Sequence, residues 1–95
     1  MKIEKTKQFI KQKEKLIKKS SLSKEQIDKT IEILKNNPQD HRLRPHKIFC
    51  KRDKRRKSLT IPNTQYRILY SDYGEFAIFL QILKHDEYDR ANKDC

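Results

Sequence analysis

The chain has 95 residues and a formal net charge of +11, from 24 Lys and Arg against 13 Asp and Glu. A chain of this length forms one domain with a modest core, and we expect that domain to span residues 1–95. No segment approaches the roughly 20 consecutive apolar residues of a membrane-spanning helix, and the lysine-rich start lacks the apolar stretch of a secretory signal. We therefore expect a cytoplasmic protein that does not bind membranes.

Two amphipathic helices are predicted in the first forty residues, after a short strand around Ile3. The first helix places its apolar residues on one stripe and its lysines outward. The second begins at Ser23, because a serine N-cap with Gln26 three residues later forms a capping box. Pro38 ends it, since proline cannot continue the hydrogen-bond ladder of a helix. The stripe of the first helix contains Phe9, Ile10, Leu16 and Ile17.

Four strands are predicted after Pro45, at residues 47–50, 58–61, 65–70 and 76–83. Both faces of the last strand are largely apolar, so this strand should be central in the sheet. Strict alternation along it places the Ile82 side chain on the same face as Ile78 and Leu80, and Leu83 on the opposite face. The predicted fold class is α+β. Two N-terminal helices pack on one face of a small antiparallel sheet of three to four C-terminal strands plus the short N-terminal strand, and the other face, which carries Arg67, stays open.

The position of the charge indicates the class of partner. Residues 41–57 contain nine Lys and Arg and one Asp, a net charge of +8. Dense positive charge neutralises phosphates and releases their counterions, so nucleic acid is the leading partner class and a solvated basic loop is the alternative. We expect phosphate contacts from six of these cations, Arg44, Lys47, Lys51, Arg52, Arg55 and Arg56.

The two cysteines, Cys50 and Cys95, form neither a disulfide framework nor a metal-ligand spacing, so both are expected to be free thiols. A zinc site built from Cys50 and the three histidines fits no standard ligand pattern. We therefore expect no metal and no cofactor.

Three motifs resemble the RelE/ParE superfamily of toxins from bacterial toxin–antitoxin pairs, and the resemblance covers nearly the whole chain. The run Tyr66-Arg67-Ile68-Leu69-Tyr70 is similar to the family's Tyr-Arg-aliphatic-aliphatic-Tyr strand. The closing strand and the Lys84-His85-Asp86-Glu87-Tyr88 run after it also match. The run Asp40-His41-Arg42-Leu43 is similar to the Asp-His-x-Leu element of the YafQ-like branch. The resemblance implies a RelE-like fold.

The resemblance also implies a function. Members of the RelE-like branch are endoribonucleases that cut mRNA, usually on the ribosome, and a cognate antitoxin inhibits them. We therefore expect an mRNA interferase whose partners are an antitoxin, mRNA and the ribosome. Two alternatives stay open: a ParE-like toxin that binds gyrase without nuclease activity, and an inactive homologue that binds only RNA or the antitoxin.

Metal-free RNA cleavage needs a proton acceptor, a proton donor and a cation that stabilises the charge on phosphorus. His85 matches a family histidine and suits proton transfer, because the imidazole pKa of about 6.5 lies near neutrality. Arg67 matches the family's phosphate-binding arginine, whose guanidinium fork suits a phosphorane. The alternatives are that His85 is an ordinary surface histidine and that Arg67 is a cross-strand ion-pair partner.

Three more residues are candidates for the same chemistry. Tyr88 is a candidate to stack on an unstacked base or to hydrogen-bond the phosphate. The alternative is that Tyr88 only covers the core. Either His41 or His46 is a candidate second proton-transfer group, although each alone is more often an exposed loop histidine.

The sequence departs from the YafQ-like pattern in one strand. YafQ-like members carry an Asp and a His where this chain has Arg56-Lys57-Ser58-Leu59-Thr60. Catalysis is therefore expected to follow the arginine- and lysine-dependent RelE style.

Overall fold

A computed structural model describes residues 1–84 and 86–87. The elements are β1 (Lys2–Lys5), α1 (Lys7–Lys18), α2 (Lys24–Asn36), a 3-10 turn (His41–Leu43), β2 (His46–Lys47), β3 (Arg56–Thr60), β4 (Tyr66–Asp72) and β5 (Phe76–Lys84). The strands form one five-stranded sheet in the order β1-β5-β4-β3-β2, in which β1 is parallel to β5 and the other neighbours are antiparallel. The predicted α+β class is confirmed.

Both helices begin at side-chain caps. The Thr6 hydroxyl accepts the Phe9 N–H at 3.2 Å, and Ser23 and Gln26 form the predicted reciprocal capping box. These caps satisfy backbone N–H groups that have no partner within the helix. Leu22 is buried just before α2, as is Ile27 in its first turn.

The main core lies between the helices and one face of the sheet. Phe9 of α1 and Ile27 of α2 are fully buried there with Ile68 of β4 and Phe79 of β5. Phe9 and Phe79 meet edge to face with ring centroids 5.2 Å apart, a favoured aromatic geometry. Burial of a side chain of this size stabilises the fold by about 1.5–3 kcal/mol.

A β-bulge in β5 makes the predicted alternation wrong. Leu69 pairs with Gln81 but Tyr70 pairs with Phe79, so Leu80 is the extra residue. One extra residue reverses the phase of the side chains beyond it. Ile82 therefore joins Phe79 in the main core, while Leu83 lies on the opposite face.

Side chains of α1 and its N-cap satisfy the backbone at this bulge. The Thr6 hydroxyl donates to the carbonyl oxygens of Phe79 and Leu80, at 3.0 and 3.1 Å. The Gln12 amide oxygen accepts the Ile82 N–H at 2.8 Å. Helix α1 thus fixes the part of β5 that leads to Lys84.

The helix-free face is partly covered, where the sequence predicted an open surface. Leu69 and Leu83 are buried on it, and Ile48 packs against them. The predicted strand at 47–50 is wrong in its bounds, because β2 contains only His46–Lys47. Residues 48–50 lie outside the strand, so Ile48 is able to fold over this face.

Cys50 is only 4% exposed and is disulfide-bonded, so the expectation of a free thiol is wrong. The number and spacing of cysteines in the sequence do not show whether a buried thiol is paired. Cys95 lies outside the described residues. No described helix has the length and apolar character needed to cross a membrane.

Candidate functional site

A concavity of about 520 Å³ surrounds Arg67 at one end of the helix-free face. Arg67 is half-buried and points away from the helices, because its neighbour Ile68 lies in the main core. Three cations and one carboxylate line the concavity, so it favours an anion. Its lining residues are Arg44, Thr60, Thr64, Gln65, Arg67, Lys84 and Asp86.

The strand register brings these residues together. Arg67 pairs with Thr60 of β3 on one side and with Leu83 of β5 on the other. Tyr66 pairs with Lys84, which places the lysine at the end of β5 beside the same turn. Cross-strand neighbours lie about 5 Å apart, so Arg67 and the end of β5 border one small space.

The turn between β3 and β4 is held by its own hydrogen bonds. The Thr64 hydroxyl donates to the Ile61 carbonyl oxygen at 2.8 Å and accepts the Tyr66 N–H at 3.1 Å. Asn63 has a φ of +63°, a left-handed conformation that asparagine tolerates better than most residues. Hydrogen bonds within the turn therefore hold this rim of the concavity.

The 3-10 turn carries Arg44 to the opposite rim. Asp40 caps this turn by accepting the Arg42 N–H at 2.9 Å, and its carboxylate binds the Arg42 guanidinium at 3.0 and 2.8 Å. Those hydrogen bonds hold the pKa of Asp40 well below its ordinary value. Leu43 is fully buried and anchors the turn in the core. The Asp-His-x-Leu run thus has a structural role in this chain.

Arg44 itself adopts a left-handed backbone conformation, with φ +47° and ψ +52°. A residue with a Cβ pays roughly 1–2 kcal/mol for this conformation. The strain falls on a residue whose side chain lines the concavity around Arg67.

A second concavity of about 720 Å³ continues the first past the β3–β4 turn. Arg44, Thr60, Thr64 and Gln65 line both, and His41 lines the second. Arg67 and His41 therefore border one continuous groove, with Arg44 between them.

His46 lies on the helix-free face, in a different row from Arg67. It pairs with Ser58, which pairs in turn with Leu69. The His46 Nδ1 is 3.2 Å from the Arg44 carbonyl oxygen. Beside it, the Ser58 hydroxyl oxygen is buried and has no hydrogen-bond partner among the residues that the structure describes.

The predicted phosphate-binding cations fall into two groups. Arg44, Lys47, Lys51 and Arg52 are exposed. Arg55 and Arg56 have partners within the chain: the Arg55 guanidinium lies 4.8 Å from the ring centroid of Tyr73, and the Arg56 Nε is 3.3 Å from the Asp53 carboxylate.

Asp53 organises this basic loop. Its carboxylate accepts hydrogen bonds from the Ser71 hydroxyl, the Arg55 N–H and the Arg56 guanidinium. Burial by itself raises the pKa of Asp53, but these hydrogen bonds and the Arg56 charge together hold it below its ordinary value. The carboxylate therefore stays ionised and ties residues 53–56 to β4.

His85 and Tyr88 lie outside the described residues, so their predicted roles remain predictions. Lys84 and Asp86, the residues on either side of position 85, both line the concavity around Arg67. The sequence interpretation did not select Thr60 or Gln65 as site residues and treated Lys84 only as part of a motif. Thr60 is identified by its strand position opposite Arg67. That position is known only when the register between β3 and β4 is known.

Metal ligands do not cluster in the described part of the chain. Among residues 1–84 and 86–87, no group of three or more His, Cys, Asp or Glu side chains is close enough together to hold a metal ion.

No protein-family model matches the chain, and no curated protein sequence matches it. Solved structures do match its fold. YafQ from E. coli strain BL21(DE3) is 18% identical, with a TM-score of 0.71 over 90% of this chain and 94% of that one. The chain has a YafQ-like toxin fold.

Two further structures share the YafQ-like fold. A copper-bound mutant toxin from Helicobacter pylori is 23% identical, with a TM-score of 0.72 over 92% of this chain and 97% of that one. YafQ in the E. coli DinJ–YafQ complex is 18% identical, with a TM-score of 0.72 over 90% and 93%. The resemblance to the RelE/YafQ-like toxins is thus confirmed at the level of the fold.

Proposed function

We propose that this protein is the toxin of a type II toxin–antitoxin system and an endoribonuclease that cuts mRNA, on the ribosome, without a metal. The observation that carries the proposal is the position of Arg67 in a cation-lined concavity on the helix-free face of a YafQ-like fold. A toxin that acts only by binding another protein does not need a concavity lined by guanidinium and ammonium groups.

Arg67 binds the scissile phosphate in this proposal. Its guanidinium fork donates two parallel hydrogen bonds to phosphate oxygens, and these strengthen as charge develops on the phosphorane. Arg44 and Lys84, on two other sides of the concavity, hold the flanking phosphates. Such contacts position the RNA without reading its sequence.

His85 transfers protons in this proposal. It is covalently linked to Lys84 and Asp86, both of which line the concavity around Arg67. One histidine accepts the proton of the attacking 2′-hydroxyl, or donates one to the leaving 5′-oxygen, at a pH near neutrality. His41, in the continuous groove, is the candidate for the complementary transfer. Tyr88 is the candidate base-stacking residue.

The partner of this toxin is a cognate antitoxin. The E. coli DinJ–YafQ complex, whose toxin shares this fold, is a toxin–antitoxin complex. The net charge of +11 favours an acidic antitoxin segment that covers the basic groove and competes with RNA.

The decisive experiment measures the effects on translation and on DNA supercoiling separately, in the same cells. The protein is expressed from an inducible promoter, and protein synthesis, mRNA integrity and plasmid supercoiling are followed over the first minutes. We expect translation to stop early, with mRNA cut inside coding regions, and supercoiling to remain normal. Co-expression of the antitoxin should restore growth.

The matched variants are His85→Gln and Arg67→Ala, with Lys35→Gln as the control because Lys35 is an exposed cation of α2 and lines neither concavity. The first two should abolish mRNA cleavage and toxicity. Gyrase-linked DNA damage with intact mRNA would instead establish the ParE-like alternative. Wild-type toxicity in both site variants would remove the active-site assignment.

A further inference from the structure

Phe49 is the most exposed large apolar side chain of the described residues, at 83%. It belongs to the loop between β2 and β3, where the sequence indicated cations as functional residues but no aromatic side chain. Full exposure of a phenyl ring forgoes the free energy that burial of a large apolar side chain supplies. A second structural feature, the anchoring of the loop, indicates that this exposure is not a consequence of disorder.

The residues on both sides of Phe49 are held in place. Ile48 packs against Leu69 and Leu83, its N–H donates to the Arg56 carbonyl oxygen at 3.0 Å, and Cys50 is buried and disulfide-bonded. The rest of the loop is tied to β4 through Asp53. Phe49 is thus presented to solvent by anchored neighbours.

A hollow of about 350 Å³ beside this ring has an apolar floor and a cationic rim. Ile48, Phe49 and Cys50 form the apolar part, and Lys47, Lys51 and Lys54 form the rim. A nucleotide has the complementary pattern, because its base has a flat apolar face and its phosphate carries a negative charge.

We propose that Phe49 is a base-stacking residue for single-stranded RNA, and that Lys47, Lys51 and Lys54 hold the adjacent phosphates. The inference rests on the proposed function for the identity of the nucleic acid. Single-stranded RNA is favoured because its unstacked bases are available to an aromatic ring, whereas a duplex keeps them stacked. The lysine rim excludes a purely apolar partner surface.

The loop that carries Phe49 reaches the helix-free face on which Arg67 lies. Ile48 packs against the cluster of Leu69 and Leu83 on that face, and Leu83 pairs with Arg67. An RNA strand whose scissile phosphate lies at Arg67 therefore passes towards the loop that carries Phe49. The aromatic contact supplies affinity at a distance from the bond that is cut.

The binding test uses a fluorescently labelled 2′-O-methyl RNA 12-mer, which has no free 2′-hydroxyl and cannot be cleaved by 2′-hydroxyl attack. Loss of one base stack corresponds to about 1–3 kcal/mol, so Phe49→Ala should raise Kd roughly 5- to 150-fold. Phe49→Trp should bind at least as tightly as wild type. Tyr73→Ala is the matched control, because the Tyr73 ring already stacks on Phe76 and makes a cation–π contact with Arg55. The Kd of this control variant should change less than about 2-fold.

A spectroscopic test reports the contact directly. The chain contains no tryptophan, so the indole of the Phe49→Trp variant is the sole tryptophan signal. Stacking on a base should quench its fluorescence when the 12-mer is added, and heparin, a polyanion without bases, should not. Equal quenching by heparin, or an unchanged Kd for Phe49→Ala, would overturn the base-stacking role, as would an Ala variant that loses only antitoxin binding.

Cleavage of unmodified RNA is measured separately, so that the two proposals fail in different ways. Wild-type protein that binds the 12-mer through Phe49 but leaves unmodified RNA intact would overturn the nuclease function and retain the base contact. Normal cleavage together with an unchanged Kd for Phe49→Ala would overturn the base contact alone. The melting temperature of each variant should match wild type, because Phe49 is outside the core.

Discussion

Arg67 lies directly opposite Thr60 in the pairing of β3 with β4, and both side chains line the same cationic concavity. The guanidinium is therefore held on a paired strand rather than on a mobile loop. Groups held on rigid elements keep the geometry that transition-state stabilisation requires.

Replacement of Arg67 should affect the chemical step more than the fold. We expect Arg67→Ala to lower the single-turnover rate of RNA cleavage by about 10²–10³, the effect of removing one preorganised donor from a transition state. Arg67→Lys should recover only part of the rate, because an ammonium group lacks the bidentate fork. Lys35→Gln should stay within about 3-fold of wild type, since Lys35 is an exposed cation of α2 and lines neither concavity. An Arg67→Ala rate equal to wild type would contradict the assignment.

Arg44 offers a way to separate backbone strain from charge. Arg44→Gly should leave the free energy of unfolding unchanged or increase it, because glycine adopts the left-handed conformation without a Cβ penalty. The same variant should bind RNA more weakly and reduce the slope of log Kd against log salt concentration by about 0.7, the value for one lost contact to a single strand. Arg44→Asn is the control that keeps a residue tolerant of this conformation. An unchanged salt slope would remove Arg44 from the phosphate contacts.

Gln12 should stabilise the bulge that sets the phase of β5. Gln12→Met removes the acceptor of the Ile82 N–H with little change in volume, and should cost about 1–3 kcal/mol of unfolding free energy. Gln12→Glu keeps a side-chain acceptor oxygen and serves as the control. Urea unfolding gives the free energies, and amide hydrogen exchange should be faster at Ile82 in the Met variant. Identical exchange in both variants would contradict the role of this contact.

Acid should destabilise the protein through two carboxylates that pair with cations of β3. Burial raises the pKa values of Asp53 and Asp72, but hydrogen bonds and the neighbouring charges of Arg56 and Lys57 hold both below their ordinary values. The unfolded state therefore binds protons first as the pH falls, so stability is constant above about pH 5 and decreases below about pH 4. Asp72→Asn should be less stable than wild type at pH 7 and show a shallower acid decrease. If the stability of Asp72→Asn decreased with falling pH as steeply as that of wild type, the Lys57–Asp72 pair would be excluded as a cause of the acid dependence.

The capping box should contribute to stability without affecting the site. Ser23→Ala removes the acceptor of the Gln26 N–H at the start of α2 and should cost about 1 kcal/mol. Ser21→Ala, at an exposed position outside the cap, should cost less than about 0.5 kcal/mol. Thermal unfolding distinguishes the two, and RNA binding should be equal in both. Equal melting temperatures would indicate that the box contributes nothing measurable.

Local chemistry made much of this fold predictable. The capping residues, the proline after α2 and the alternating strands are short-range signals, and each corresponds to an element of the structure. The main errors arose where distant residues decide the outcome. The bulge at Leu80 depends on how β4 and β5 pair, and Ile48 leaves β2 to cover Leu69 and Leu83.

The sequence alone determined the α+β class, the start of α2 at its capping box, the position of the positive charge and the choice of Arg67 as a candidate, because these depend on residue type and short spacing. Only the tertiary structure decided which cations border a common space. It directs Arg44 and Lys84 to the Arg67 concavity and pairs Lys57 with Asp72, since strand register and loop packing bring together residues that are far apart in the chain. The physical reason is that charge belongs to a residue, whereas a binding site depends on distances between residues that only folding fixes.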